Sequence, residues 1–344
     1  MKTILAAMSG GVDSAVACLC LQRAGYTVCG GTMLVRDGGE AEAEDARSCA
    51  EQLGIPFEIF DWKAEFQTNV IRPFTETYRA GETPNPCIFC NKTMKFGLLL
   101  DAALSRSCDG IATGHYARVE FDRGSGRYLL KTAKDTAKDQ TYMLAVLNQY
   151  QLSHTVLPLG DLTKDEAREL AREAGLPVAS KHDSQDICFV PDGDYMAYLT
   201  AHGLVPQAGH FIGTDGTDYG AHKGMEAYTV GQRRGLELAF GSRMYVLGKR
   251  GTDVLLGTAD RLMTDRVFLR DMNWIPFDAP PQTLSCAAKL RYTTKTAPCT
   301  VIPTENGCLL QFAAPQRAPT PGQTAVLYDG DTVLGAGTIT DQEI

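Results

Sequence analysis

The chain reads as a doubly wound α/β domain with a parallel sheet, followed by a small central domain and a C-terminal β-barrel. Three observations predict this. Apolar strand-like runs alternate with helical stretches through the first third of the sequence, glycine-rich text follows from Gly209, and short β-like runs close the chain. In order, strands are expected at Thr3 to Met8, Thr27 to Met33, Pro56 to Asp61 and Gly110 to Thr113. Helices are expected near Asp13 to Ala24, Glu42 to Leu53, Lys63 to Tyr78 and Lys92 to Leu104. Gly25 and Gly54 stand where the first two helices should stop. Thr163-Lys164-Asp165-Glu166 is a capping box opening a helix to about Ala174, with Gly175 and Pro177 ending it. The stretch Ala179 to Pro191 then reads as an exposed loop. Gly209 to Gly224 suggests a linking domain, β runs begin at about Leu262, and Asp329-Gly330 marks a hairpin. The implied domains are 1–195, 196–260 and 261–344.

A chain of 344 residues with 44% hydrophobic content can bury substantial cores. The opening apolar stretch is too short for a signal peptide and no run approaches a membrane span, so a cytoplasmic protein without membrane partners is expected. The 11 cysteines form no dense disulfide framework. Cys18, Cys20, Cys29, Cys286, Cys299 and Cys308 fit small core residues; Cys87, Cys90 and Cys188 do not. The net charge of −8 argues against a generally sticky nucleic-acid binder. Yet residues 221–300 carry 12 Lys/Arg against 7 Asp/Glu, a basic region compatible with RNA held by part of the molecule or with plain solvated charge.

The loop Ser9-Gly10-Gly11-Val12-Asp13-Ser14 follows directly on the first strand. Adjacent glycines let backbone N–H groups turn inward, two serines add hydroxyls, and the next helix aims its positive end at the same point, so an anion is expected there. Walker A needs a Lys after its last glycine, and the G-x-G-x-x-G fingerprint is absent. In doubly wound sheets ligands sit beyond the carboxyl ends of strands, where Ser9, Met33 and Gly114 would lie together. The loop resembles that of the ATP pyrophosphatase superfamily, whose members cleave ATP between the α and β phosphates.

Two thiol-bearing loops complete the picture. Thr83-Pro84-Asn85-Pro86-Cys87-Ile88-Phe89-Cys90-Asn91-Lys92 sets a C-x-x-C just ahead of a helix expected from Lys92, and a helix N-terminus favours thiolate. Cys90 is the expected nucleophile. Far along the chain, Asp183-Ser184-Gln185-Asp186-Ile187-Cys188-Phe189-Val190-Pro191 carries the third exposed thiol. Sequence alone cannot bring the two together.

With these residues, and with ATGHYARV, KDQTYML, LPLGDLTKDEAREL, YTVGQRRGL, KLRY and the closing TPGQTAVLYDGDTVLGAG, the chain resembles the bacterial tRNA-specific 2-thiouridylases over essentially its whole length. The resemblance implies an adenine nucleotide hydrolase-like fold and a sulfurtransferase acting on the wobble uridine, with ATP and Mg²⁺ as cofactors and tRNA and a persulfide donor as partners. The donor would be a cysteine desulfurase or sulfur-relay protein. It implies Cys90 as nucleophile, Cys188 as persulfide carrier, and a transient Cys90–Cys188 disulfide. Ala7 and Met8 with the loop Ser9 to Ser14 would bind nucleotide, with Met33 and Gly114 on the adenine side. Asn85, Pro86, Cys87, His115, Lys138, Asp139, Gln140, Arg291, Tyr292 and Gln323 would contact RNA.

Bland readings stand beside these: His115 as a hydrogen-bonded strand-end histidine, Arg291 with Tyr292 as the outer face of a barrel strand. The chain also departs from the pattern. Cys87 replaces the Asp of some relatives, Lys181-His182-Asp183 stands where Lys-Pro-Asp is usual, the stretch after Met33 is compressed, and Leu238 to Arg250 follows the family poorly. The rival enzyme is an iron–sulfur-dependent tRNA thiolase with Cys87, Cys90 and Cys188 as ligands. A non-catalytic nucleotide-responsive protein would not need the thiol loops.

Overall fold

The computed structural model describes residues 1–181, 187–190, 193–238, 241 and 243–341. His182, the Asp183 to Asp186 part of the second thiol loop, and Pro191 lie outside the described residues. Five parallel strands form the N-terminal sheet: β1 (Thr3–Ala7), β2 (Thr27–Leu34), β3 (Phe57–Asp61), β4 (Gly110–Ala112) and β7 (Thr155–Val156), in the order β3-β2-β1-β4-β7. The order reverses at β1, which puts a crevice at its carboxyl end. Strand periodicity of two divides the core. Ile4 and Ala6 face α1 (Val12–Arg23), α2 (Glu40–Leu53) and the helix Lys164–Glu173, whereas Leu5 faces Phe96, Leu99 and Leu100.

Helix ends follow local chemistry. Gly25 (φ +84°) and Gly54 (φ +64°) adopt the left-handed turn expected after α1 and α2. Thr163 accepts from the Glu166 N–H while the Glu166 side chain returns to the Thr163 N–H, the reciprocal cap read from sequence.

The helix expected from Lys92 begins earlier, at Pro86, because Asn85 Oδ1 accepts from the Cys87 N–H (3.1 Å) and caps it there. It runs over 86–105, with an i→i+5 stretch at Cys90–Leu98. A hairpin, β5 (Arg118–Asp122) with β6 (Arg127–Lys131), was not among the expected strands. Its turn is fixed by Asp122, whose carboxylate accepts from the Gly124 and Ser125 N–H groups.

The central segment forms a sheet of β8 (Gly209–Gly213), β9 (Asp218–His222), β10 (Tyr245–Arg250) and β11 (Asp253–Gly257) in the order β10-β11-β8-β9. The barrel comprises β12 (Met263–Trp274), β13 (Leu284–Lys289), β14 (Ala297–Thr304), β15 (Gly307–Arg317), β16 (Thr324–Asp329) and β17 (Thr332–Thr340). Antiparallel neighbours follow the order β12-β15-β14-β13-β16-β17, and β12 pairing with β17 closes it. The expected Asp329-Gly330 turn joins the last two strands, with Gly330 at φ +56°. Thr332 of β17 pairs with Lys131 of β6, and Val326, Tyr328 and Val333 enter the same core as Leu5 and Phe96. Barrel and sheet are therefore packed as one body around the site. Among the described residues no helix is long and apolar enough to cross a membrane.

Candidate active site

The glycine loop emerges from β1 at the crevice. Gly10 takes φ +70°, and no side chain caps α1, whose N-cap is Gly11. The first-turn N–H groups are thus left for an anion. Ser14 Oγ accepts from the Ser9 N–H (3.1 Å) and donates to the Gly11 carbonyl (3.0 Å), holding the loop closed on itself. Gly114 lies at the carboxyl end of β4, where an added Cβ would sit 2.7 Å from the Asp13 carbonyl carbon and 2.8 Å from Ser14 N. Only glycine lets that segment approach. Met33, near the carboxyl end of β2, is half-buried against the core beneath the thiol loops.

Asp13 is held by two groups the sequence did not single out. Lys164 Nζ lies 2.8 Å from both carboxylate oxygens, and the Tyr116 hydroxyl donates to Oδ1 at 2.9 Å. Lys164, seen in sequence only as the first residue after a cap, is a buried cation at the loop. Lys181 Nζ donates to the Gly10 carbonyl (3.0 Å) and to Asp45 (2.6 Å), tying the start of the second thiol segment to the glycine loop. Gln140 Oε1 accepts from the Tyr116 N–H (3.0 Å), so one chain of contacts runs from Gln140 through Tyr116 to Asp13 and Lys164.

The fold brings the three thiols together. Cys87 and Cys188 are exposed and Cys90 is half-buried. Cys90 is raised to about 11, by desolvation first, against the pull of Lys95, with the Cys188 and Cys87 thiols adding to the rise. Cys188 is also raised, by desolvation and then by Cys87, against Lys95 and Arg36. The expectation of a thiolate favoured at Cys90 is therefore corrected. The helix starts at Pro86, so Cys87 takes the N-terminal position and Cys90 lies a turn inside, where burial outweighs the dipole. Lys95 was missed because i→i+5 winding, unlike an ordinary helix, turns it toward the Cys90 face. At pH 7 roughly one Cys90 in 10⁴ is ionised. Alkylation of Cys90 should rise about tenfold per pH unit up to about pH 10, and Lys95→Met should move that profile to higher pH. A plateau near pH 8.5 would contradict this.

The second thiol loop is not uniformly exposed, as its sequence suggested. Phe189 and Val190 are buried at 4% and 3%, and the Phe189 ring meets Phe66 and Phe74 edge-on at 5.5 Å. Cys188 is carried on this apolar anchor. Phe189→Ala should cost about 3–5 kcal/mol locally and slow Cys90–Cys188 disulfide formation by ~10². Quantitative cross-linking checks this; an unchanged rate would remove the anchor from the account.

Of the expected RNA-side residues, Asn85, Pro86 and Tyr292 lie beside Cys87. Asn85 caps the helix, with Nδ2 3.5 Å from Met143 Sδ, and Pro86 is buried beside it. His115 is hydrogen-bonded to Thr113 Oγ1 (2.7 Å), and burial, then Lys95, hold its imidazole well below its usual value and hence uncharged at neutral pH. Asp139 accepts from the Ala133 N–H and the Thr141 hydroxyl. The Tyr292 hydroxyl is raised by burial and then by Asp139, against Lys138, with Cys87 adding to the rise. Its ring, 38% exposed, lies 5.3 Å from Lys289 Nζ. Gln323 Nε2 donates to the Thr83 carbonyl (2.8 Å), docking the barrel on the Thr83 to Pro86 turn. Arg291 donates to the Val230 and Ala318 carbonyls (2.9 and 3.0 Å) and to Thr320 Oγ1, joining two distant segments. Part of the basic region's charge is thus structural, as is Arg270 on Glu82 (2.9 and 2.8 Å).

Among the described residues, which include all three thiols, no three His, Cys, Asp or Glu side chains stand close enough together to hold a metal ion. The iron–sulfur alternative is not supported.

Three family models match in succession: a tRNA methyl transferase HUP domain over residues 2–192, a tRNA methyl transferase PRC-barrel domain over 197–253, and an aminomethyltransferase β-barrel domain over 264–339. The chain is 43% identical, over 98% of its own length and 98% of the relative's, to the tRNA-specific 2-thiouridylase MnmA of Caldicellulosiruptor saccharolyticus. The same identity and coverage relate it to the protein of that name from Clostridioides difficile. A 4-thiouridine synthetase–RNA complex with bound ATP aligns more loosely, at TM-score 0.38 and 17% identity over 58% of this chain and 50% of that one. This chain belongs to the tRNA-specific 2-thiouridylase family.

Proposed function

We infer that the protein is a tRNA-uridine 2-sulfurtransferase that uses ATP to replace the C2 oxygen of the wobble uridine with sulfur. The observation that carries this reading is the convergence of Cys87, Cys90 and Cys188 in one fold with an uncapped glycine loop. The relatives' name supplies the substrate class.

The C2 carbonyl oxygen of uracil is a poor leaving group, so it must be activated before sulfur can displace it. Ser9 to Ser14 suit the β and γ phosphates of the co-substrate: N–H groups without a cap, two hydroxyls, and Lys164 against Asp13. Mg²⁺ would neutralise part of the phosphate charge. Met33 and Gly114, near the carboxyl ends of β2 and β4, would line the adenine side. The uridine oxygen attacks the α phosphorus, pyrophosphate leaves, and the base carries AMP on its former carbonyl oxygen.

Cys188 receives a persulfide from a sulfur-relay protein. Its terminal sulfur bonds to C2 and AMP departs with the oxygen; the Cys90 thiolate then attacks Cys188 Sγ, freeing 2-thiouridine and leaving a Cys90–Cys188 disulfide that an external thiol reduces. The raised Cys90 keeps its proton until needed, and Lys95 supplies the charge that favours its loss. His115, uncharged beside Cys90's helix, is suited to hydrogen bonding with a base rather than to phosphate. Asn85, Pro86 and Cys87 form the turn that meets the flipped base, and Lys138, Tyr292 and Gln323 flank it. A cytoplasmic setting suits a dithiol that must be re-reduced.

Nucleoside mass analysis tests the reading. Wobble-unmodified tRNA incubated with the protein, ATP, Mg²⁺, a cysteine desulfurase system and reductant should yield 2-thiouridine with AMP. If neither forms, the reading fails.

A further inference from the structure

The barrel holds a second thiol pair, remote in sequence from the three cysteines above. Cys286 on β13 and Cys299 on β14 are register partners on adjacent antiparallel strands, and their sulfurs lie 3.6 Å apart. Directly opposed residues on such strands have Cα atoms about 4.5–5.5 Å apart, within the span that a disulfide bridges. Closure needs only side-chain rotation. Cys286 is half-buried, which gives a reagent access, while Cys299 is 6% exposed and sits against the barrel core. The neighbouring Cys308 is engaged elsewhere, with its sulfur 3.6 Å from Met272 Sδ and the residue 1% exposed.

The two strands are the arms of one hairpin. Its connection, 290–296, carries Arg291, which brackets Val230, Ala318 and Thr320, and Tyr292, which stands out beside Cys87. A covalent bond across the arms would therefore fix the base of the segment that links the barrel to the thiol site.

We propose that Cys286 and Cys299 are a reversible thiol–disulfide modification site that staples this hairpin, with a low-molecular-weight disulfide as oxidant. The Cys286 thiolate attacks the small disulfide and expels one thiol, leaving a mixed disulfide. Cys299 attacks the Cys286 sulfur and expels the second. Two protein thiols lose two protons and two electrons, and the small disulfide takes them up and departs as two thiols. A dithiol reverses both steps. This chemistry is independent of the sulfur-transfer reading; only the consequence for RNA contacts would depend on it.

The test uses full-length reduced protein treated with oxidised glutathione, alkylated with N-ethylmaleimide, and mapped by peptide mass. The expected result is a peptide joining Cys286 to Cys299, loss of both alkyl adducts at those positions, and their return after dithiothreitol. Cys286→Ser should abolish that peptide while leaving 2-thiouridine formation under reducing conditions unchanged. Cys90→Ser should keep it, which separates the staple from the active-site disulfide. Full alkylation of both barrel thiols after oxidation, or glutathione retained on Cys286 without closure, would overturn the proposal.

Discussion

A Cys188→Ser variant should bind tRNA and release AMP much as the parent does, yet form no 2-thiouridine, a loss of roughly 10³-fold or more. The proposed mechanism divides the labour. It assigns nucleotide activation to the glycine loop at the end of β1, whereas Cys188 stands on a separate segment anchored by Phe189 and Val190. Serine keeps the side chain's size but cannot hold a transferable sulfur. Parallel assays of tRNA binding, AMP release and thiolated nucleoside separate the three steps. Sustained thiolation by the variant with a persulfide donor alone would place the sulfur carrier elsewhere.

The second large effect concerns Lys164. Its ammonium touches both Asp13 oxygens, and its side chain is only 9% exposed, so Lys164→Met strands a carboxylate beside the phosphate loop. An unpaired negative charge there would repel the phosphate that the proposed mechanism puts in the loop. The expected loss in kcat/KM for tRNA-dependent AMP formation is about 10²–10³-fold. Adding Asp13→Asn should recover part of the loss, because the pair acts as a unit. The fold is checked by circular dichroism. If Lys164→Met keeps the parent rate, the Lys164–Asp13 contact is structural only.

Much of this site could be read from one dimension. The glycine loop was legible because a tight turn from strand to helix with a positive φ at Gly10 is a local requirement. The strands β1 and β4 were legible because buried parallel strands are continuous apolar runs. What escaped needed three dimensions. Lys164 looked like a capping-box neighbour until the fold set it on Asp13. Lys95 was hidden by i→i+5 winding. The Cys90 expectation misjudged the helix start: Asn85 captured the Cys87 N–H, so the dipole acts nearest Cys87, and burial decides the acidity of Cys90. Nothing local in the sequence announces the pocket in which Phe189 and Val190 pack among Phe66 and Phe74. Arg291, a candidate RNA contact by resemblance, turns out to bracket carbonyls from two distant segments. The β5–β6 turn carries a local signal of its own in Asp122 with Gly124 to Gly126.

A single turnover decides whether sulfur passes from Cys188 to the uridine with Cys90 as its releasing partner: protein carrying an isotopically labelled persulfide on Cys188 is supplied with tRNA, ATP and Mg²⁺ without reductant. One labelled 2-thiouridine per AMP is expected, with a Cys90–Cys188 disulfide formed in equal amount. Labelled nucleoside appearing with both thiols still free, or label remaining on Cys188 while AMP accumulates, would contradict it.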